Sequence, residues 1–388
     1  MKTIPSLMQM LEALIAAPSV SSVSPEFDTS NRAVIDLLAH WCEDLGFETE
    51  VLPLPGQPDK ANLIATLGKG PGGLVLSGHT DTVPYDEGRW NSDPFRLTER
   101  DGRLHGLGTC DMKGFFAFAL QAARAVGDET LQQPLILLAT ADEESSMEGA
   151  QALVDLGRPK ARYAVIGEPT GLRPINAHKG ILMEAIHLTG RSGHSSDPSL
   201  GVNALEGMHR VIADLLNWRK QLQDAHRDAA FQVPVPTLNL GHIHGGDNPN
   251  RICGECELHI DLRTLPGMDL ELLRQTLDAR LQQLFTDSEI KWQRRALFHG
   301  TPAMHTDITS DIVREAQRLT GHAPETVAFC TEGPYLNELG METVILGPGH
   351  IDQAHQPDEF ITLDTFQPTL DVLGGLIRRF CLQGTRAA

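Results

Sequence analysis

Three short apolar segments of this 388-residue chain each run into residues that can bind a metal ion, and this pattern limits the possible folds more than any other feature. Residues 73–77, 135–140 and 163–166 have the length and composition of buried strands. The residues that follow them are His79 and Asp81, then Asp142, Glu143 and Glu144, then Glu168. Because the carboxyl ends of parallel strands line one crevice, we expect these side chains to converge there.

The rest of the chain predicts a mixed, largely parallel α/β sheet with helices on both faces. Apolar residues at helical spacing cover 33–45 and 115–126, and further strands are predicted over 61–66 and 343–346. Alternation of helices and strands is typical of βα units, whose strands pair side by side in one sheet.

A smaller domain interrupts this alternation after residue 180, as expected for a chain longer than one core usually organises. Its elements follow the ferredoxin-like order of strand, helix, two strands, helix and strand. They include a strand over 181–188, helices over 203–221 and 270–284, and a strand over 289–297. We therefore expect one domain, formed by 1–180 and 299–388, with an inserted α+β domain over 181–298.

Composition argues against several classes of partner. A formal net charge of -19 opposes binding to nucleic acid or to an anionic membrane. An amphipathic helix, not a signal peptide, is predicted before Pro18. Its apolar face comprises Met8, Leu11, Leu14 and Ile15. The apolar runs are too short to cross a bilayer, and six scattered cysteines do not resemble a secreted disulfide framework, so the expected location is the cytoplasm.

His79 and Asp81 are the first candidate part of a metal site. A neutral imidazole can bind a metal through one nitrogen while a nearby carboxylate accepts the proton of the other nitrogen and orients the ring. By itself, a His-x-Asp sequence after a strand is more often a polar loop. A single acid after a strand is likewise often a helix cap. Several clustered carboxylates, however, repel one another unless cations neutralise them.

Two glycine-rich loops add candidate ligands. Residues 106–114 contain Asp111 and open into a helix; a phosphate cradle is the competing interpretation, although the glycine spacing fits no phosphate-binding pattern. Residues 347–357 carry His350 and His355 after a strand, and a further metal ligand is expected there. An isolated loop histidine, in contrast, is usually solvated.

Cys253 and Cys256 have a spacing that suggests zinc or redox chemistry. They lie in a segment whose alternation predicts a strand over 252–262, and their odd spacing places the two thiols on opposite faces of that strand. Because no second cysteine pair completes a site, we interpret them as small residues of a sheet.

Together these motifs resemble the M20 family of dinuclear zinc aminoacylases and peptidases, over nearly the whole chain. The matching segments are HTD (79–81), GTCDMKG (108–114), DEE (142–144), GEPT (167–170), GHSS (193–196) and AHQPDE (354–359). Residues 238–247, 330–334 and 346–349 narrow the resemblance to members that deacetylate N2-acetyl-L-ornithine. Departures are small: Cys253 replaces a common proline, and Cys110 a common alanine.

The resemblance implies a site for two zinc ions, in which cobalt or manganese can substitute. The implied ligands are His79 and Glu168 for one ion, Glu144 and His355 for the other, and Asp111 as the bridge. Glu143 is implied as the general base, and Asp81 as the residue that orients His79. Two metal ions can share a water and lower its pKa, and a carboxylate beside it can carry the proton to the leaving amine.

The resemblance implies that three residues act on the substrate, and the charge of the substrate suggests a fourth. In similar proteins His194 stabilises the oxyanion from the partner subunit of a homodimer; a loop hydrogen bond is the alternative for this residue. Asn250 and Arg263 match positions that bind the substrate's carboxylate, whereas the sequence alone favours an ion pair of Arg263 with Asp261. Glu332, flanked by glycine and proline, is a candidate partner for the ornithine ammonium.

The implied function is hydrolysis of the acetyl amide of N2-acetyl-L-ornithine, a small molecule, with the inserted domain acting in lid closure and dimerisation. Another acyl-amino acid, such as acetylcitrulline or succinyl-diaminopimelate, and a dipeptide remain open as substrates. A metal-binding module without catalysis is also open, although Glu143 beside five potential ligands argues against it. Cys110, a thiol next to the metals, predicts sensitivity to oxidation.

Overall fold

The computed structural model describes residues 4–126 and 130–382, and the chain divides into two compact units. The first unit includes the chain up to Asn176, Thr306–Glu325 and the chain from Thr331 onward. The second includes Ala177–His305 and Thr326–Cys330. Among the described residues, no helix combines the length and the apolar character needed to span a bilayer.

Helices and strands alternate through much of the described chain. The helices are α1 (Leu7–Ile15), α2 (Arg32–Asp44), α3 (Gly114–Val126), α4 (Glu148–Leu156), α5 (Ala204–Ala225), α6 (Leu270–Phe285), α7 (Asp311–Thr320), α8 (Gly333–Glu338) and α9 (Phe366–Ile377). The strands are β1 (Glu48–Leu54), β2 (Gln57–Leu67), β3 (Leu74–His79), β4 (Thr98–Arg100), β5 (Arg103–His105), β6 (Leu135–Thr140), β7 (Tyr163–Pro169), β8 (Ile175–His178), β9 (Gly180–Thr189), β10 (Thr237–Gly245), β11 (Glu255–Thr264), β12 (Lys291–Ala296), β13 (Met304–His305), β14 (Glu325–Val327), β15 (Glu342–Gly347) and β16 (Phe360–Thr362).

The first unit is organised around a mixed sheet with a parallel centre. Its strand order runs β1, β2, β6, β3, β7, β15 and β8. The four strands β6, β3, β7 and β15 are parallel to their neighbours in that group, whereas β1, β2 and β8 join through antiparallel pairs. The prediction of a mixed, largely parallel sheet is confirmed.

Both faces of this sheet are buried, which explains why its central strands have continuous apolar sequences. Leu76 and Leu137 lie in a core shared with α1, α2, α3, α7 and α9. The residues before them, Val75 and Ile136, point to the other face and are also buried. Helices α4 and α8 form a separate small cluster through Met147, Ala150 and Tyr335.

The second unit is an antiparallel sheet of order β10, β11, β9 and β12 that packs against α5 and α6. Its element order, βαββαβ, is the predicted ferredoxin-like one. Asn203 and Asp269 cap α5 and α6, since each side chain accepts hydrogen bonds from two backbone N–H groups of the first turn.

Two local predictions are wrong. Met8 is 38% exposed, because it lies at the border of the apolar stripe of α1, and Met10 is buried instead. The strand predicted over 252–262 begins only at Glu255, so the alternation does not extend to Cys253. Cys253 and Cys256 therefore both lie in the core of the second unit as free thiols, rather than on opposite faces.

Candidate metal centre

The first unit brings six ligand-type side chains together at the carboxyl ends of its parallel strands. They are His79 at the end of β3, Asp111 in the loop before α3, Glu143 and Glu144 after β6, Glu168 in β7 and His355 in the loop after β15. Glu168 lies within β7, which continues to Pro169, rather than after the strand as predicted. The predicted convergence follows from strand register, because His79 pairs with Thr140 at the ends of β3 and β6.

Asp111 lies between the two histidines. Its Oδ1 is 3.2 Å from Nε2 of His79, and its Oδ2 is 3.6 Å from Nε2 of His355. The carboxylate is almost fully buried, whereas the His355 side chain is 55% exposed, so the site opens to solvent on the His355 side. One carboxylate that faces a different imidazole with each oxygen is suited to bridge two cations.

Each histidine has a second carboxylate beside it. Glu168 Oε1 is 3.7 Å from Nε2 of His79, and both oxygens of Glu144 lie 3.0–3.1 Å from Nε2 of His355. Ligand atoms of His79, Glu143 and Glu168 all lie within 4.8 Å of one another, as do those of His79, Asp111 and Glu144. Imidazole nitrogens and carboxylate oxygens are ligands for zinc and related divalent ions.

Asp81 orients His79 differently from the prediction. Nδ1 of His79 donates to the backbone carbonyl of Asp81 at 3.0 Å, while the Asp81 carboxylate is 3.7 Å away. A carbonyl can only accept, so Nδ1 carries a proton. In the neutral ring, which is the form that binds a metal, the lone pair therefore lies on Nε2, the nitrogen that faces Asp111. The Asp81 carboxylate instead accepts the backbone N–H of Glu144 at 3.0 Å. It thereby holds the loop after β6, which carries Glu143 and Glu144.

The crowded carboxylates retain protons when no cation is bound. Burial raises the pKa of Glu143 and of Glu168 well above the ordinary value, and raises that of Asp81 to about 6. The hydrogen bond to Glu144 raises the pKa of His355 to about 9. Burial opposes a charge on His79, but Asp111 and the other nearby acids outweigh it and raise the pKa of His79. These carboxylates and imidazoles suit divalent cations, because a bound cation can replace the protons that the site otherwise retains.

We expect metal binding near neutral pH to release protons. His355, with its pKa at about 9, is charged below that pH and must become neutral to bind a metal, so affinity should rise with pH up to that value. Calorimetric titration in buffers of different ionisation enthalpy measures the release. His355→Ala should reduce the release, and His40→Ala, at an exposed position of α2, should not. Heats independent of the buffer would contradict the prediction.

Lys60 and Asp142 form a buried ion pair that sequence analysis missed. Lys60 Nζ donates to Oδ1 of Asp142 and to Oδ1 of Asp28, both at 2.7 Å. Asp142 has a left-handed backbone with φ 60 and directly precedes Glu143, so this contact fixes the turn that presents the acids. The alternative of a helix cap does not apply, because α4 begins six residues later. The available signal was a lysine directly before the apolar segment predicted as a strand over 61–66.

His350 and Cys110 are two further residues of the loops that carry the ligands. His350 is exposed, whereas Nε2 of His355 lies 3.0 Å from Oε2 of Glu144 and 3.6 Å from Oδ2 of Asp111, which favours His355 as the ligand of that loop. Cys110 is only 3% exposed, its Sγ–H faces the His350 carbonyl at 3.5 Å, and burial raises the pKa of its thiol. A buried, protonated thiol reacts slowly with oxidants, so the predicted oxidation sensitivity loses its support.

In the second unit, His194 has one ring nitrogen occupied and one available. Nδ1 accepts the backbone N–H of Ser196 at 3.2 Å and its hydroxyl at 2.7 Å. Because a backbone N–H only donates, the proton of a neutral His194 lies on Nε2, which can donate to a ligand. The backbone carbonyl of Asn250 accepts the N–H of Ser195 at 3.1 Å and ties the two loops together.

Arg263 makes the ion pair that the sequence alone favours. Its Nε and Nη2 donate three hydrogen bonds of 2.9–3.2 Å to the carboxylate of Asp261. The guanidinium side chain is 31% exposed, so its remaining N–H groups can reach another carboxylate.

Glu332 is a buried acid in the first unit. It is 1% exposed, and neither carboxylate oxygen accepts a hydrogen bond. Thr140 lies near Glu332, but its hydroxyl donates to the carbonyl of Gly78, at 3.1 Å, rather than to the Glu332 carboxylate. Burial raises the pKa of Glu332 to about 7. A buried carboxylate without donors is costly unless a proton or a cation neutralises it.

Comparison with known proteins places this site in a family. The model of "Peptidase family M20/M25/M40" matches residues 75–379, which is most of the chain and includes all six ligand-type side chains. This chain belongs to peptidase family M20/M25/M40. It is 50% identical to acetylornithine deacetylase of Pasteurella multocida, over 98% of this chain and 100% of that protein, and 49% identical to acetylornithine deacetylase of Proteus mirabilis, over 98% of each.

Solved structures support the fold assignment. An M20 family metallo-carboxypeptidase from Sulfolobus solfataricus has a TM-score of 0.75 at 18% identity, over 97% of this chain and 99% of that one. A dinuclear metal-binding peptidase of the M20 family from Bacillus subtilis has a TM-score of 0.67 at 14% identity, over 95% and 96%. The mixed α/β architecture is therefore that of the M20 peptidases.

Proposed function

We propose that this chain removes the acetyl group from N2-acetyl-L-ornithine to give L-ornithine and acetate. The observation that carries the reaction class is the Asp111 carboxylate, which faces His79 with one oxygen and His355 with the other, beside Glu143. The substrate is supported by the identity of about one half to two acetylornithine deacetylases over nearly their full length.

We propose two zinc ions as the resident metals, with cobalt or manganese able to substitute. His79 and Glu168 would hold one ion, Glu144 and His355 the other, and Asp111 both. When bound by these residues, two divalent ions would lower the pKa of a water and polarise the scissile carbonyl.

Glu143 is the proposed general base. Its carboxylate belongs to the same close group as His79 and Glu168, and among the described residues it accepts no hydrogen bond from a side chain. It is therefore free to take a proton and to hand it to the leaving amine. Asp81 fixes the His79 ring and the backbone of Glu144, so the groups around Glu143 keep their places.

We propose that the chain acts as a homodimer, in which the partner subunit's His194 donates its Nε2–H to the oxyanion. His194→Asn should lower kcat by about two to three orders of magnitude, because one donor to the developing charge is lost. His209→Asn, at an exposed position of α5, should leave kcat unchanged.

Mixing two inactive variants tests the route across the dimer. A heterodimer of His194→Asn and Glu143→Gln subunits has one site with an intact Glu143 and an intact His194, provided that His194 acts on the other subunit. Co-expressed variants should then recover about half of the activity per heterodimer, because one of its two sites is complete. Recovery no greater than the sum of the separate variants, or a fully active monomer in sedimentation, would contradict the proposal.

Asn250 and Arg263 are the proposed partners of the substrate's carboxylate, and Glu332 of its side-chain ammonium. Glu332→Gln should raise KM for acetylornithine about ten- to a hundredfold, because a buried charge pair is lost. Turnover of neutral acetyl-amino acids such as N-acetyl-L-methionine should not change. Glu338→Gln, exposed on α8, is the control. Equal losses for both substrates would remove Glu332 from substrate recognition.

Steady-state kinetics with measured metal content tests the proposed function directly. kcat/KM should be highest for acetylornithine among acetylornithine, acetylcitrulline, succinyl-diaminopimelate and a dipeptide. Activity should disappear on chelation and return on adding zinc. A fully metallated protein that hydrolyses none of these amides would be a binding module. We also propose a cytoplasmic location, which the free thiols of Cys42, Cys110, Cys253, Cys256 and Cys381 support.

A further inference from the structure

A buried carboxylate outside the proposed hydrolytic machinery lies against the loop that carries Asp111. Glu359 is 1% exposed and follows His355 by four residues. Its Oε1 accepts the backbone N–H of Cys110 at 2.7 Å and of Asp111 at 2.9 Å, and its Oε2 accepts the N–H of Gly108 at 3.0 Å. Three backbone donors of the Asp111 loop thus converge on one side chain.

The main chain at Glu359 holds the same loop. Its backbone carbonyl accepts the N–H of Gly106 at 3.1 Å. The next residue, Phe360 of β16, pairs with His105 of β5, which directly precedes Gly106. Gly108 has φ +85, and a Cβ there would lie 2.7 Å from the Lys113 side chain. Glycine at this position therefore lets the backbone turn its N–H toward the carboxylate.

We propose that Glu359 is a positioning residue. It fixes Asp111 between the two metal half-sites, which are His79 with Glu168 and Glu144 with His355, and it sets the distance between Asp111 and His355. This inference rests on the proposed two-metal function. The three hydrogen bonds from backbone N–H groups join protein atoms only, so they hold the loop independently of any bound ion. The four-residue connection means that one buried carboxylate links the loops of Asp111 and His355.

The chemistry requires a carboxylate and not merely a polar side chain of that length. A carboxylate has two accepting oxygens, whereas glutamine has one oxygen and an NH2 group that donates. In Glu359→Gln the NH2 group would face at least one backbone N–H, so the loop must shift to relieve two opposed donors. The carboxylate of Asp111 would move with its backbone.

Metal binding, rather than turnover, is the readout that separates positioning from general stability. Glu359→Gln should weaken the binding of the second ion about ten- to a hundredfold and alter the visible absorption of the dicobalt protein, since residues behind the ligands have effects of that size. kcat should fall while KM stays close to wild type. Glu99→Gln, exposed on β4 in the same three-stranded sheet, should change none of these.

Unchanged cobalt absorption and unchanged metal affinity in Glu359→Gln would overturn the inference, even with a lower melting temperature. Should the variant not fold, hydrogen exchange on the wild-type protein decides. Peptides that cover 106–113 should remain protected after metals are removed with a chelator, because the carboxylate still holds the loop. Rapid exchange there would overturn the inference. If wild type binds metal without hydrolysing acetylornithine, only the proposed function fails.

Discussion

Replacing Glu143 by glutamine is expected to lower kcat by about two to four orders of magnitude, the range found for a positioned general base. The variant keeps the size and polarity of the side chain but cannot accept a proton. Glu143 is not one of the proposed ligands, so both metal ions should remain bound. Burial raises the pKa of Glu143 well above the ordinary value, which suits a group that takes a proton and releases it again.

Kinetics and metal analysis on one sample test this expectation. kcat for acetylornithine should fall, KM should change little, and metal content should equal that of wild type. Glu148→Gln, an exposed residue in the first turn of α4, is the matched control and should keep full activity. A Glu143→Gln protein with wild-type kcat would reject this residue as the base, and one that has lost its metal would show that Glu143 is a ligand.

The parts of this fold that could be predicted from sequence are those with local signals. β6 matches its predicted residues, α3 begins one residue earlier than predicted, and α2 begins and ends one residue earlier. Apolar periodicity and the adjoining loops mark such elements in a sequence. The convergence of His79, Glu144 and Glu168 was also predictable, since each lies at or near the carboxyl end of a parallel strand.

The contacts that hold the ligands were not predictable, because both partners are distant in sequence or belong to the backbone. Glu359 reaches N–H groups some 250 residues earlier, and Lys60 meets Asp142 across 82 residues. The three-stranded sheet of β4, β5 and β16 has strands of three residues, too short for an alternating pattern. The His79 orienter is a carbonyl, which every residue carries and no side-chain motif reveals.

Asp111→Asn is expected to have the largest effect, because this one change removes a shared ligand from both metal half-sites. The amide offers one oxygen to a metal, while its NH2 group would face the other half-site and either His79 or His355. The loss of several kcal/mol of charge stabilisation corresponds to a fall of more than about three orders of magnitude in kcat/KM. Removal of the charge should also weaken binding of both ions.

Asp101→Asn provides the matched control, since Asp101 lies exposed in the turn between β4 and β5, where its left-handed backbone also accepts asparagine. Metal content after dialysis, measured together with kcat/KM, should fall for Asp111→Asn and stay at the wild-type level for Asp101→Asn. Because Asp111 faces one histidine with each oxygen, the loss should reach both ions rather than one. A variant that retains two ions and most of its activity would mean that each half-site is complete without Asp111, and the bridging arrangement would then be wrong.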